Sequence, residues 1–190
     1  MNISGDFEKL YSKVWTRCLS RHSDNRGYFL EYFRKSKLVN FDIDFIQDSV
    51  SVSQKNVLRG LHVQENQWQL STILHGSVLY FVLDVDVQSK EYLKLHKIKL
   101  YSGGTTQILA APGVAHGFLA ESADVVMSYK NSTYYNSALQ HGINFASFDE
   151  AKNLVRDCVR SERDTDFMEL EELLRDNVFT EFQSRIHFGN

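Results

Sequence analysis

At 190 residues, 43% apolar and 24% charged, the chain fits one domain with a substantial core and has an ordinary soluble composition. Its formal charge of −3, with no basic cluster, argues against duplex nucleic acid as a partner, and no apolar run approaches the roughly 20 residues that span a bilayer. Met1 to Leu10 is polar and acidic rather than signal-like, and Cys18 and Cys158 stand in no metal or redox spacing, so a cytoplasmic protein with reduced thiols is expected.

One proline, Pro112, and no Pro-, Ser- or Gly-rich linker make 1–190 read as a single domain. Residues 27–145 read mostly as short strands. Residues 56–64, 70–74 and 78–87 are three of them, with His75-Gly76 as the turn between the last two. Residues 92–100 alternate apolar with Lys and His, which predicts a strand with one face in solvent. Ser102-Gly103-Gly104 is a turn signal, 105–110 resumes as strand, and 125–130 is another. Closely spaced strands without intervening helices imply an antiparallel sandwich or barrel. The tail differs: Phe167, Leu170, Leu173 and Leu174 recur at helical spacing over 161–176, with Ser161 and Asp164 placed as a capping box.

Within Arg59-Gly60-Leu61-His62-Val63-Gln64, strand alternation puts Leu58, Gly60, His62 and Gln64 on one face and Arg59, Leu61 and Val63 on the other. A histidine between glycine and glutamine has room and a polar neighbour, which suits a ligand cavity; a hydrogen-bonded core histidine fits the pattern equally well. Pro112-Gly113 enforces a turn before His116, and Gly117 permits a close backbone approach, as a binding site or a structural corner would need. His62 and His116 supply two nitrogens where a mononuclear metal site wants three or four donors, and the residue two after His62 is Gln64, a poor ligand. Tyr129 and the pair Tyr134-Tyr135 offer phenols that suit either proton transfer or packing. Arg26 and Arg59, each beside glycine, can grip phosphate or form surface ion pairs.

Taken together, these segments resemble the dTDP-4-dehydrorhamnose 3,5-epimerase family over about residues 24–164. The motifs are Asp24-x-Arg26-Gly27-x-Phe29 with Glu31; Phe45-x-Gln47-Asp48 with Ser51 and Ser53; Asn56-Val57-Leu58-Arg59-Gly60-Leu61-His62-x-Gln64; Ala115-His116-Gly117-Phe118; Tyr129-Lys130 with Tyr134-Tyr135; and Ser161-Glu162-Arg163-Asp164. The resemblance implies a cupin-type antiparallel β-barrel (jelly roll) with a short C-terminal helical segment. It implies His62 as base, Asp164 as its orienting carboxylate and Tyr129 as the acid on the opposite sugar face. It implies His116 as a substrate contact, Arg26 and Arg59 as diphosphate ligands, and Gln47 near the nucleotide or sugar. Glu31, Ser49, Gln69 and Arg163 join the substrate-binding set. The implied enzyme is a homodimer without metal or cofactor, acting on a nucleotide-diphosphate 4-keto-6-deoxy sugar.

Departures from the family pattern ring the substrate. The expected lysine of Gln-x-Lys-Leu is Gln69, an expected aspartate is Tyr80, and the asparagine after Gln-Asp is Ser49. The loop after Gln64 is short, and a Trp-Pro before the final helix is missing. Glutamine donates a hydrogen bond but carries no charge, so the number of centres inverted stays open. A nucleotide-sugar 3,4-ketoisomerase and a non-catalytic nucleotide-sugar-binding cupin are the competing readings.

Overall fold

The computed structural model describes residues 7–104 and 106–186; residues 1–6 of the polar opening stretch, and Thr105 at the expected start of a strand, lie outside the described residues. Among the described residues thirteen strands run in chain order: β1 (Glu8–Tyr11), β2 (Val14–Cys18), β3 (Arg21–Asp24), β4 (Gly27–Leu30), β5 (Gln47–Ser53), β6 (Leu58–Gln64), β7 (Gln69–His75), β8 (Ser77–Asp84), β9 (Leu95–Tyr101), β10 (Thr106–Ala110), β11 (Val114–Ala120), β12 (Val125–Asn131) and β13 (Gln140–Gly142). Their antiparallel ladders form a six-stranded sheet in the order β1-β2-β10-β7-β12-β5 and a five-stranded sheet in the order β13-β6-β11-β8-β9. The β3–β4 hairpin stands apart as its own two-stranded sheet, with nearly every residue exposed. No helix among the described residues is long and apolar enough to cross a membrane.

Three apolar layers hold this body together. Between the sheets lie Ile73, Tyr80, Val82, Ile108, Val114, Phe118 and Met127, drawn from both. The outer face of the five-stranded sheet carries Leu58, Leu61, Val63, Phe81, Leu83 and Ala115, covered by the C-terminal region. The outer face of the six-stranded sheet is covered by Leu38, Ile43 and a group of aromatic side chains around Trp15, Phe41 and Trp68. The central part of each outer face is thus buried, which is why several strands read as continuous apolar runs rather than as alternation.

The C-terminal region departs from the single helix expected over 161–176. Four helices form there: α1 (Asp149–Val155), α2 (Glu162–Thr165), α3 (Leu170–Leu173) and α4 (Asn177–Arg185). The expected helix is broken because residues between α2 and α3 are tied to the 142–144 segment. Asn144 donates its side-chain amide to the Phe167 carbonyl at 3.1 Å and its backbone N–H to the Met168 carbonyl at 3.0 Å. The Ser161 hydroxyl caps α2 by accepting the Asp164 N–H at 3.1 Å, but the Asp164 carboxylate does not return the bond as a capping box requires. Two strand expectations also shift. The segment 78–87 leaves the ladder after Asp84, where Lys13 pairs with Asp84 and Asp86. The segment 92–100 enters it only at Leu95, because Leu93 sits at φ 58°, outside strand geometry.

Strand β6 corrects the expected alternation. Against β11 its register runs His62 opposite His116 and then Arg59 opposite Phe118, so that Gly60 and Leu61 together face Gly117: a β-bulge around Gly60. Leu58, Leu61 and Val63 therefore share the outer core, while Arg59, His62 and Gln64 share the inner face. Gly60 lies at φ +103°, and a Cβ on it would stand 2.7 Å from the His116 carbonyl oxygen; one on Gly117 would stand 2.3 Å from that of Arg59. Two backbones pass here at a distance only glycines permit.

Candidate active site

A cavity of about 420 Å³ opens between the two sheets, within the range of small-molecule sites. One wall is built from alternate residues of β5, β12 and β7. Asn131 pairs with Gln47 on one side and Gln69 on the other, and Tyr129 pairs likewise with Ser49 and Ser71. Strand β5 has the reverse of the usual pattern, with polar Gln47, Ser49 and Ser51 turned inward and Val50 and Val52 turned out. The facing wall carries Arg59, His62 and Gln64 from β6, His116 and Phe118 from β11, and Tyr80 from β8.

His62 and Asp164 meet on this second wall. His62 Nε2 and Asp164 Oδ1 are 2.9 Å apart, and Asp164 Oδ2 accepts the Gly60 N–H at 3.0 Å. Burial of Asp164 alone would raise its pKa. The His62 hydrogen bond and charge, the Gly60 N–H and Arg163 outweigh burial and bring it from 3.8 to about 2. The carboxylate is therefore ionised at neutral pH, and it fixes the proton of His62 on Nε2 and leaves Nδ1 with its lone pair. Arg163 Nη2 lies 3.0 Å from the same Nε2. An N–H committed to the carboxylate cannot also accept from a guanidinium, so the Arg163 contact acts as a neighbouring charge, with its Nε 3.5 Å from Asp164 Oδ1.

His116 stands directly across the ladder from His62. Burial first, and then the neighbouring His62, depress its pKa to about 4, against the Val114 carbonyl hydrogen bond that would raise it. It is a neutral imidazole that donates Nδ1–H to Val114 at 3.0 Å and keeps Nε2 as an acceptor. On the opposite wall the Tyr129 hydroxyl lies 2.8 Å from Ser51 Oγ. Burial pushes the Tyr129 pKa up to about 12, with Ser51 and Arg59 opposing, so the phenol stays protonated at neutral pH. The cavity thus sets a carboxylate-backed imidazole and a protonated phenol on facing walls.

The family model described as dTDP-4-dehydrorhamnose 3,5-epimerase matches residues 11–172. The dTDP-4-dehydrorhamnose 3,5-epimerase of Methanothermobacter thermautotrophicus is 30% identical over 80% of this chain and 86% of its own. The chain belongs to the dTDP-4-dehydrorhamnose 3,5-epimerase family. It is accordingly a nucleotide-sugar epimerase, of the isomerase class. The Escherichia coli epimerase of that name is 34% identical over 63% of this chain and 68% of its own. Among solved structures, the Bacillus anthracis 3,5-epimerase, with TDP and PPi bound, matches with a TM-score of 0.79 and 25% identity over 86% of this chain and 97% of that one. A 3'-monoepimerase from Streptomyces bikiniensis, solved with dTDP-quinovose, matches with a TM-score of 0.79 and 26% identity over 93% of this chain and 96% of that one.

Gln47, Ser49, Arg59, His62, Gln69, His116 and Tyr129 all line the cavity, and Asp164 and Arg163 stand behind His62. Arg163 Nη1 also donates to the Tyr135 hydroxyl at 2.9 Å and to Gln140 at 3.0 Å, both of which line the cavity. Arg26 and Glu31 stand elsewhere. Arg26, at the exposed tip of the β3–β4 hairpin, pairs with Asp24 at 2.6 Å, and Glu31 pairs with Arg34 at 2.7 Å. Gln67, Asn131 and Gln140 line the cavity without having been singled out from sequence. Asn131 is two residues after Tyr129 on the same strand, so alternation carries the signal for it; Gln140 follows an irregular loop and has none. Among the described residues, no three or more His, Cys, Asp and Glu side chains gather as a metal site would require.

Proposed function

We propose that this cavity binds a dTDP-linked 4-keto-6-deoxy sugar and inverts its carbon 3, and carbon 5 through Tyr129, by proton transfers alone. The observation that carries the reading is the 2.9 Å contact of His62 with an ionised Asp164 on one wall, opposite a protonated Tyr129 on the other. His62 Nδ1 takes the proton from the carbon beside the ketone, the C–H pair becomes the C=C bond, and the carbonyl pair moves to oxygen as an enolate. Asp164 stabilises the imidazolium so formed. Tyr129 returns a proton to the other face of carbon 5, with Arg59 lowering the cost of the phenolate. At carbon 3 the return comes from solvent or from a rearranged ring. His116 offers Nε2 as acceptor to a sugar hydroxyl, and Arg59 and Arg163 meet the diphosphate.

The working unit is a homodimer in the cytoplasm, on a two-sheet cupin-type jelly roll. Strand β5 is a sheet edge with Val50 64% and Val52 60% exposed, and the β3–β4 hairpin presents Tyr28 and Phe29 to solvent, surfaces that a second copy would cover. Arg26 and Glu31 lie away from their own cavity, so they serve as substrate ligands only by reaching the cavity of that second copy. A single-centre enzyme is the second reading, favoured by the neutral Gln69 beside the ketone-binding wall. Incubation with dTDP-4-keto-6-deoxyglucose in deuterium oxide decides between them. Two deuterons with inversion at both carbons support the first reading, one deuteron unchanged with more enzyme supports the second, and none refutes epimerisation of this sugar.

A further inference from the structure

Four polar side chains form one continuous chain of hydrogen bonds across the cavity. The Tyr80 hydroxyl lies 3.0 Å from Ser71 Oγ, Ser71 Oγ donates to Gln69 Oε1 at 3.1 Å, and Gln69 Nε2 donates to Asn131 Oδ1 at 3.1 Å. Tyr80 is 1% exposed, and Ser71 is the hydrogen-bond partner of its hydroxyl among the described residues. A buried phenol proton left without an acceptor is costly, so Tyr80 donates to Ser71. Ser71 has one proton and gives it to Gln69. Gln69 therefore accepts at its oxygen and donates through its nitrogen, and Asn131 must accept at Oδ1. Every proton in the chain points one way.

The chain ends in an amino group. Asn131 Nδ2 has no protein partner among the described residues and is not sealed from solvent, so it faces the cavity its residue lines. The other carboxamides of this wall are committed: Gln47 Nε2 donates to Ser49 and Gln67 Nε2 to Thr133. Gln64 and Gln140, whose amide nitrogens have no protein partner among the described residues, stand on β6 and on its neighbour β13, the side of His62 itself. Asn131 is two residues along β12 from Tyr129, so both point at the same bound ring from the wall opposite His62.

Resting on the epimerase reading, the geometry points to Asn131 Nδ2 as the donor that holds the ketone oxygen as it becomes an enolate, with Tyr80, Ser71 and Gln69 as positioning residues that aim it. As His62 removes the proton, negative charge gathers on that oxygen. It meets a preorganised neutral N–H rather than a cation. The anchoring phenol comes from the five-stranded sheet and the other three residues from the six-stranded sheet, so the donor is held against both walls.

The test is deuterium exchange into dTDP-4-keto-6-deoxyglucose with kcat and KM separated. Asn131→Ala is expected to lower kcat about 10²- to 10³-fold, as loss of one oxyanion donor does, with KM nearly unchanged. Asn131→Asp keeps the shape but presents a carboxylate and should lose at least as much. Tyr80→Phe keeps the ring and should lower kcat about tenfold, and combined with Asn131→Ala it should add nothing, since both act through one group. Gln64→Leu controls for a carboxamide on the side of His62. An Asn131→Ala enzyme within about threefold of wild-type kcat, or additive losses in the double variant, would overturn the proposal. Should the wild type itself show no exchange, the epimerase reading falls. The ¹⁵N side-chain amide of Asn131 then decides: a shift with a 4-keto sugar nucleotide, absent with dTDP alone, supports the assignment, and no shift overturns it.

Discussion

Replacing Asp164 with Asn removes one charge while preserving shape, and its two oxygens do different work. Oδ1 accepts the proton of His62 Nε2 and Oδ2 accepts the Gly60 N–H. An asparagine has one acceptor. If it serves Gly60, its amino group faces His62 and drives the imidazole proton to Nδ1, the position that must be empty for a base. If it serves His62, two donors confront each other in a buried site. Either arrangement costs catalysis, and an equivalent loss of tautomer control in serine proteases lowers kcat about 10⁴-fold. We expect a fall of about 10²- to 10⁴-fold in deuterium exchange, smaller than that in His62→Ala. Stability changes with a definite pH signature. The carboxyl is depressed from 3.8 to about 2, and at about 1.4 kcal/mol per unit its ionisation contributes about 2 kcal/mol to the fold. Because the folded pKa lies below the unfolded one, that stability is present above about pH 4 and is lost as pH falls towards 2. Urea unfolding of both proteins between pH 7 and pH 2 checks it. Wild type should lose its advantage over Asp164→Asn within that window. Parallel stability curves, or exchange within about twofold of wild type, would refute the coupling.

Tyr129→Phe should suppress the carbon-5 product and spare exchange at carbon 3, read by NMR of the product. With the phenol pKa near 12, the wild-type carbon-5 rate should show no loss attributable to Tyr129 between pH 6 and about pH 9. Gly117→Ala places a methyl 2.3 Å from the Arg59 carbonyl oxygen, so the soluble variant should be destabilised by about 2 kcal/mol or more in urea melts, with loss of His62-dependent exchange. Prolonged chelation should leave activity intact; stoichiometric zinc, iron or manganese bound at His62 and His116 would contradict this. Light scattering at micromolar protein should give twice the chain mass, and a monomer would count against the proposed use of the β3–β4 hairpin.

Much of the candidate site's clustering is legible in the sequence because its residues sit in short motifs whose local geometry is fixed. His62 and His116 were readable as neighbours of glycines, and the structure sets them directly opposite one another. The faces of β6 were not readable, since a bulge changes the count without changing any residue type. The C-terminal helices differ from the expectation for a related reason: spacing at 167, 170, 173 and 174 reports which side chains turn toward the body, and a non-helical segment packed on 142–144 half-buries Phe167. Strand β5 hid in plain composition, because its small polar residues face a cavity and its valines face outward. Asn131 and the direction of its hydrogen-bond chain required the register of three strands and had no sequence signal beyond alternation.

The bulge in β6 makes the chemistry of this strand depend on arithmetic. Straighten the strand with all its residues in place, and simple alternation counted from Leu58 and Arg59 aims the imidazole where Leu61 now packs. The base would be driven into the outer core and an aliphatic chain into the cavity, although every motif residue survived. Delete the extra residue at Gly60 instead, and alternation keeps His62 inward but takes away the N–H that holds Asp164 Oδ2. The unpaired residue of the bulge is therefore as much a property of the enzyme as the histidine that follows it.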